Sequence, residues 1–203
     1  MADVATAHPF ISLKADGADT TRVRPTNWNA NHAYAGGADG DVVAYDAAAG
    51  TKATWVKRAK VLSMLTTAVG NVGAGTDDLM SYTLPAATLG TDGQVLRVTV
   101  WGITAGNANA KTIVFNFGAT TVTINAVTAA PNAQNWRAVF EIVRTGATAQ
   151  RLSGFGTAGV IPEGTYAATP AATLSAAVVI KVTGAATADN DIVQHGLLVE
   201  QLN

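Results

Sequence analysis

The 203-residue chain is long enough for one ordinary domain with a sizeable core plus a smaller appendage. Its net charge of −1, with only 13% charged residues and no basic or acidic block, argues against a broad electrostatic surface for nucleic acid or an anionic membrane. It contains no cysteine, which removes disulfides and thiolate chemistry, and no run reaches the ~20 apolar residues that a membrane-spanning helix needs.

Taken in chain order, residues 1–54 read as an N-terminal arm and small attachment segment. The first residues lack a basic stretch followed by an apolar run, so no secretory leader is expected. Residues 1–7 offer nothing to pack. Residues 8–19 read as a short extended piece ending in an Asp-Gly turn, and residues 22–32 are dense in turn formers around one large aromatic, Trp28. Val42, Val43 and Tyr45 predict a short strand. So few apolar anchors cannot close a core, which predicts folding against a neighbouring subunit or a larger partner. Trp28 with Asn27, Asn29, Asn31 and His32 combines an apolar anchor with amide donors and acceptors, and these are the candidates for attachment. The alternative is a small local core under a turn-rich loop.

Residues 55–76 are expected to be a linker, a short helix followed by a glycine-rich connector. Val61, Leu65 and Ala68 recur at helical spacing, and Gly70, Gly73 and Gly75 would end the helix. Lys57, Arg58 and Lys60 near its start oppose the helix dipole. Such a helix could be the neck of a trimer, with Val61 and Leu65 at the interface, or a connector packed on its own domain.

Residues 77–203 carry the main signal. Leu96, Val98 and Val100 alternate with Arg97, Thr99 and Trp101. Ile113, Phe115 and Phe117 share one face, and Trp136, Ala138, Phe140 and Ile142 oppose Arg137 and Glu141. A period of two marks half-buried antiparallel strands. Eight are predicted, near 79–84, 94–101, 111–117, 120–124, 136–144, 149–155, 177–183 and 192–200, separated by Gly, Asp-Gly and Pro-Asn breakers. The fold class is therefore all-β, an antiparallel jelly-roll β-sandwich, with an immunoglobulin-like sandwich as the alternative.

The chemical motifs are mostly negative. His8, His32 and His195 lack the spacing of a zinc helix, and His195, inside a strand pattern, reads as a hydrogen-bonded structural histidine. There is no Gly-x-Ser-x-Gly elbow and no P-loop. Asp39-Gly-Asp41 lacks the later ligands of a calcium loop, so these aspartates, like Asp189 and Asp191, read as turn formers. Nothing in the spacing of Glu141, Glu163 and Glu200 supports a glycosidase carboxylate pair. No catalytic residue, metal site or cofactor is expected. The inter-strand loops 104–110, 129–135 and 156–168 are natural places for receptor contact, but they contain little aromatic surface beyond Tyr166.

A family resemblance rests on an ordered set of motifs. Leu84-Pro-Ala-Ala-Thr-Leu, Asp92-Gly-Gln-Val-Leu-Arg-Val, Gly106-Asn-Ala-Asn-Ala-Lys-Thr-Ile, Phe117-Gly, Trp136-Arg, Arg144-Thr-Gly, Ile180-Lys-Val-Thr-Gly and Leu198-Val-Glu resemble the jelly-roll modules of tailed-bacteriophage virion proteins. Lys14-Ala-Asp-Gly-Ala-Asp and Val23-Arg-Pro-Thr-Asn-Trp-Asn-Ala-Asn-His resemble a lead-in common in phage structural proteins. The resemblance implies a trimeric, non-enzymatic component of the virion exterior, a capsid decoration protein, a head fibre or a tail fibre tip, and does not choose among them. Short length, a weak N-terminal core, no catalytic set and near-zero net charge favour a decoration or head-fibre protein held to the major capsid protein or another virion protein by its N-terminal segment. A tail fibre recognising a host surface glycan is the alternative, and a polysaccharide depolymerase ranks third because no long repeat-built β-helix is visible. In a homotrimer an apolar seam is expected along the axis, with Val98 and Ile180 as further interface candidates beside Val61 and Leu65.

Overall fold

The computed structural model describes residues 41–45, 53–57, 59–127, 133–158 and 161–203, which fall into two compact units, Met1–Arg58 and Ala59–Asn203. In the first unit β1 (Asp41–Tyr45) and β2 (Ala53–Lys57) form an antiparallel hairpin with Val43 opposite Trp55. The short strand expected around Val42 to Tyr45 is present.

The second unit is a sandwich of two antiparallel sheets. Its strands are β3 (Lys60–Leu65), β4 (Val69–Gly70), β5 (Gly75–Leu84), β6 (Val95–Thr104), β7 (Lys111–Phe117), β8 (Thr120–Val127), β9 (Asn135–Gly146), β10 (Ala149–Ala158), β11 (Ile161–Ala168), β12 (Val178–Ala186) and β13 (Ile192–Gln201). The seven-stranded sheet runs β11-β10-β9-β6-β13-β3, with β4 also paired to β13; the four-stranded sheet runs β5-β12-β7-β8.

The alternation in the sequence explains the layering. Leu96, Val98 and Val100 of β6, Phe140 and Ile142 of β9, and Leu197 and Val199 of β13 meet Ile113, Phe115 and Phe117 of β7 and Ile180 and Val182 of β12; all are completely buried. Phe115 and Phe140 stack across the two sheets with ring centroids 4.1 Å apart. Burying a side chain of this size contributes roughly 1.5–3 kcal/mol. Tyr166 of β11 closes one side by donating its hydroxyl to the Ile124 carbonyl of β8 at 2.8 Å. Gln194 ties the sheets on the other side, accepting from the Met80 amide of β5 at 3.0 Å.

A buried polar knot joins two loops at one end. Lys111, 1% exposed, donates its ammonium to the Asn107 carbonyl (3.1 Å), Asn107 Oδ1 (2.8 Å) and the Asn109 carbonyl (2.9 Å). Asn107 and Asn109 in turn donate to the two carboxylate oxygens of Asp191, also 1% exposed, which further accepts the Ala188 and Thr187 amides. Burial alone would raise the Asp191 pKa, but these four donors outweigh it and hold the carboxyl below its ordinary value.

The antiparallel sandwich is as expected, and all eight predicted strands are present, several extended by two to four residues. The linker helix is not. Residues 55–57 lie in β2, 60–65 form β3, and among the described residues there is no helix. Thr54, Val56, Val61, Thr66, Thr67 and Val69 make this stretch rich in β-branched residues. β13 also leaves one edge open, and β3 covers it with a full antiparallel ladder, for example Leu198 opposite Met64. Tertiary pairing therefore overrides the i, i+4 apolar spacing. The second correction is β11, which falls in the expected loop 156–168. Pro162 and Gly164 read as breakers, yet β11 is an edge strand, where a missing N–H is tolerated, and a register shift after Gly156 absorbs the irregularity.

Candidate functional site

The outer face of the seven-stranded sheet holds a trough of about 770 Å³. It is lined largely by residues that the period of two turns away from the core, and strand register sets the outward residues of this face in three rows that run through the trough and beyond its rim. Glu200, Arg97 and Glu141 lie side by side on β13, β6 and β9. The next row is Met64, Leu198, Thr99, Val139 and Phe155. The third is Gly196, Trp101, Arg137 and Thr157. Rows one and three are four residues apart along each strand, or about 13 Å at the usual rise.

The third row depends on an irregularity. The β13–β6 register shifts between Gln194 and Gly196, so that Gly196 faces Trp101 and His195 is the extra residue. A Cβ on Gly196 would run into Cζ2, Cε2 and Cη2 of Trp101. The indole therefore lies on the glycine backbone, with its other face toward the trough. A half-buried aromatic ring held in this way is rigid, apolar on its face and able to pack against a flat ligand.

The charges divide the trough. At one end Arg97 donates through Nη2 (2.7 Å) and Nε (3.2 Å) to Glu141 Oε1, with both side chains about two-fifths exposed. Glu200, across β6 from Glu141, has no polar partner among the described residues. At the other end Arg137 and His195 are exposed beside Trp101, again with no hydrogen bond or ion pair among the described residues. The structural-histidine reading of His195 is therefore overturned, because the bulge swings it outward. Arrangements of this kind bind by stacking and hydrogen bonding. Among the described residues, no group of three or more His, Asp or Glu side chains is placed to hold a metal ion.

Of the residues singled out from sequence, Trp28, Asn27, Asn29 and His32 lie outside the described residues. Val61 is 57% exposed on β3, and Leu65 is partly buried against the core. Val98 and Ile180 are wholly covered within the single chain, Val98 on the inner face of β6 and Ile180 on β12. They belong to the subunit core, because the two sheets cover each other. Sequence reasoning looked for binding residues in loops and missed the trough. A usable signal was present: the alternation already placed Trp101 on the polar side of its strand, with Arg97 and Thr99.

Among the described residues no helix is long and apolar enough to cross a membrane, which says nothing of a β-barrel. No protein-family model and no curated protein matches the chain. Among solved structures the chain is similar to the CBM2 module of the evolved Dit of Lactobacillus casei BL23 phage J-1, at 12% identity and a TM-score of 0.40, over 72% of this chain and 97% of that one.

Proposed function

We propose that this chain is a non-enzymatic structural protein of a tailed-bacteriophage virion, exposed on the particle surface, and that its sandwich recognises a host surface glycan through the outer trough. The recognition half rests on one observation: the Trp101 indole laid on Gly196 with Arg97, Arg137, Glu141 and Glu200 around it. A sugar ring has an apolar C–H face and a polar rim, and an aromatic plane bordered by charged hydrogen-bonding groups complements both. The virion half is supported by the ordered motifs that resemble phage jelly-roll modules, and the jelly-roll reading of this sandwich is part of the same proposal. Binding would involve no bond cleavage.

Its test is retention of the full chain on purified host-envelope polysaccharide. The wild type is expected to be retained and Trp101→Ala to be released while it still folds cooperatively at the assay temperature, although with a lowered unfolding midpoint. Equal retention of both sinks the reading.

One observation favours a second reading, a homotrimeric capsid decoration or head-fibre protein held to the major capsid protein. Val61 (57% exposed) and Met64 (50% exposed) leave apolar surface on β3, an edge strand of the sandwich. Antibody to residues 79–203 on intact particles separates the two: label over the head supports decoration, and label at the tail end supports receptor recognition.

A further inference from the structure

Resting on the glycan reading above, we propose that the trough takes a glycan carrying an anionic substituent, a carboxylate or a phosphate, seated at Arg137 while the ring that bears it packs on Trp101. The trough contains two arginines, and they are not equivalent. Arg97 is neutralised by Glu141 at 2.7 Å and stands between two carboxylates, Glu141 and Glu200. Arg137 faces Trp101 directly across the β6–β9 pair, and its neighbour on the other side is the uncharged Thr157. It is exposed and has no partner among the described residues.

Among the residues registered with it in that row, Gly196, Trp101, Thr157 and Pro162, none is a carboxylate. The nearest on its own strand is Glu141, about 13 Å along and already engaged. His195 and Asn135 line the same end, adding an imidazole and an amide as hydrogen-bonding groups. That end is therefore positive, flat and rich in donors, and a guanidinium fork matches carboxylate and phosphate oxygens two at a time. The opposite end is rich in acceptors: Glu200 is free to accept hydroxyl donors from the next sugar. The trough is thus polar along its length, and a uniformly neutral glycan would leave the Arg137 end without a complement.

The test uses the full chain on four immobilised polymers: polygalacturonate and its carboxyl-reduced form, and a phosphomannan and its dephosphorylated form. The variants are Trp101→Ala, Arg137→Gln, Arg137→Lys and Arg151→Gln, the last removing an exposed charge on β10 outside the trough. The expected result is binding to one charged polymer that is about tenfold or more weaker on its neutral counterpart, as loss of a charge-assisted hydrogen bond predicts. Which polymer is chosen distinguishes carboxylate from phosphate. Arg137→Gln should abolish that preference, Arg137→Lys should restore part of it, and Arg151→Gln should keep it.

Equal binding to charged and neutral forms, with only Trp101→Ala losing affinity, overturns the anionic-ligand proposal and leaves the glycan reading standing. Equal losses from Arg137→Gln and Arg151→Gln also overturn it, because general attraction would then account for binding. Retention on none of the four while the wild type is held on the host-envelope polysaccharide overturns the anionic-ligand proposal alone, and no retention on that polysaccharide either overturns both.

Discussion

Replacing Lys111 with methionine keeps the aliphatic stem and deletes the ammonium at the centre of the buried knot. Three oxygens then lose the ammonium as a donor: the Asn107 carbonyl, Asn107 Oδ1 and the Asn109 carbonyl, now 2.8–3.1 Å from Nζ, although Asn107 Oδ1 keeps the Asn109 amide. The Asp191 carboxylate also loses the cation that Asn107 relays to it. Leaving a buried acceptor without its donor costs about 1–3 kcal/mol. Asp191 keeps two amide side chains and two backbone N–H donors, so the loss falls mainly on the two carbonyls, ~3 kcal/mol together. For a domain of this size that lowers the unfolding midpoint by roughly 6–12 °C. Urea denaturation followed by tryptophan fluorescence and far-ultraviolet circular dichroism measures it, with an unchanged m-value. A loss below ~1 kcal/mol would refute the idea that the ammonium holds the knot together.

Four further outcomes are expected. The folded-state pKa of Asp191 is depressed below 3.8, so its contribution to stability is fully present above that pH and disappears as pH falls through the lower folded value; Asp191→Asn should flatten this acid limb in a stability-against-pH series. Gly196→Ala should cost ~1–3 kcal/mol by overpacking against the Trp101 ring, and should weaken glycan retention as the indole lifts from the sheet. Glu141→Gln should change stability by less than ~1 kcal/mol, because its pair with Arg97 is substantially exposed; denaturant titration checks this. If the exposed β3 surface carries self-association, Val61→Lys with Met64→Lys should lower the sedimentation coefficient while the single-chain circular dichroism is retained.

Much of the architecture was legible because a half-buried strand writes its two faces into alternate positions. Leu96, Val98 and Val100 against Arg97, Thr99 and Trp101 specify which side meets the core, and the same holds for Trp136 to Ile142. The misread elements are those whose state depends on a partner distant in sequence. Residues 60–65 carry apolar residues at helical spacing, and only the open edge of β13 makes them a strand. Residues 161–168 contain Pro162 and Gly164, and the edge position is what tolerates the proline's missing N–H.

The candidate site divides in the same way. Each strand alone reveals that Trp101, Arg137 and Glu200 point away from the core. Their meeting in one trough depends on the order β9-β6-β13, which joins segments separated by tens of residues. The register shift at Gln194 and Gly196 then places a bare glycine under the indole and turns His195 outward. By itself the sequence determined the strands and their buried faces, because side-chain alternation is a local property of the chain. Only the tertiary structure decided which strands became neighbours, which edges needed covering and which exposed residues came together, because long-range pairing sets them.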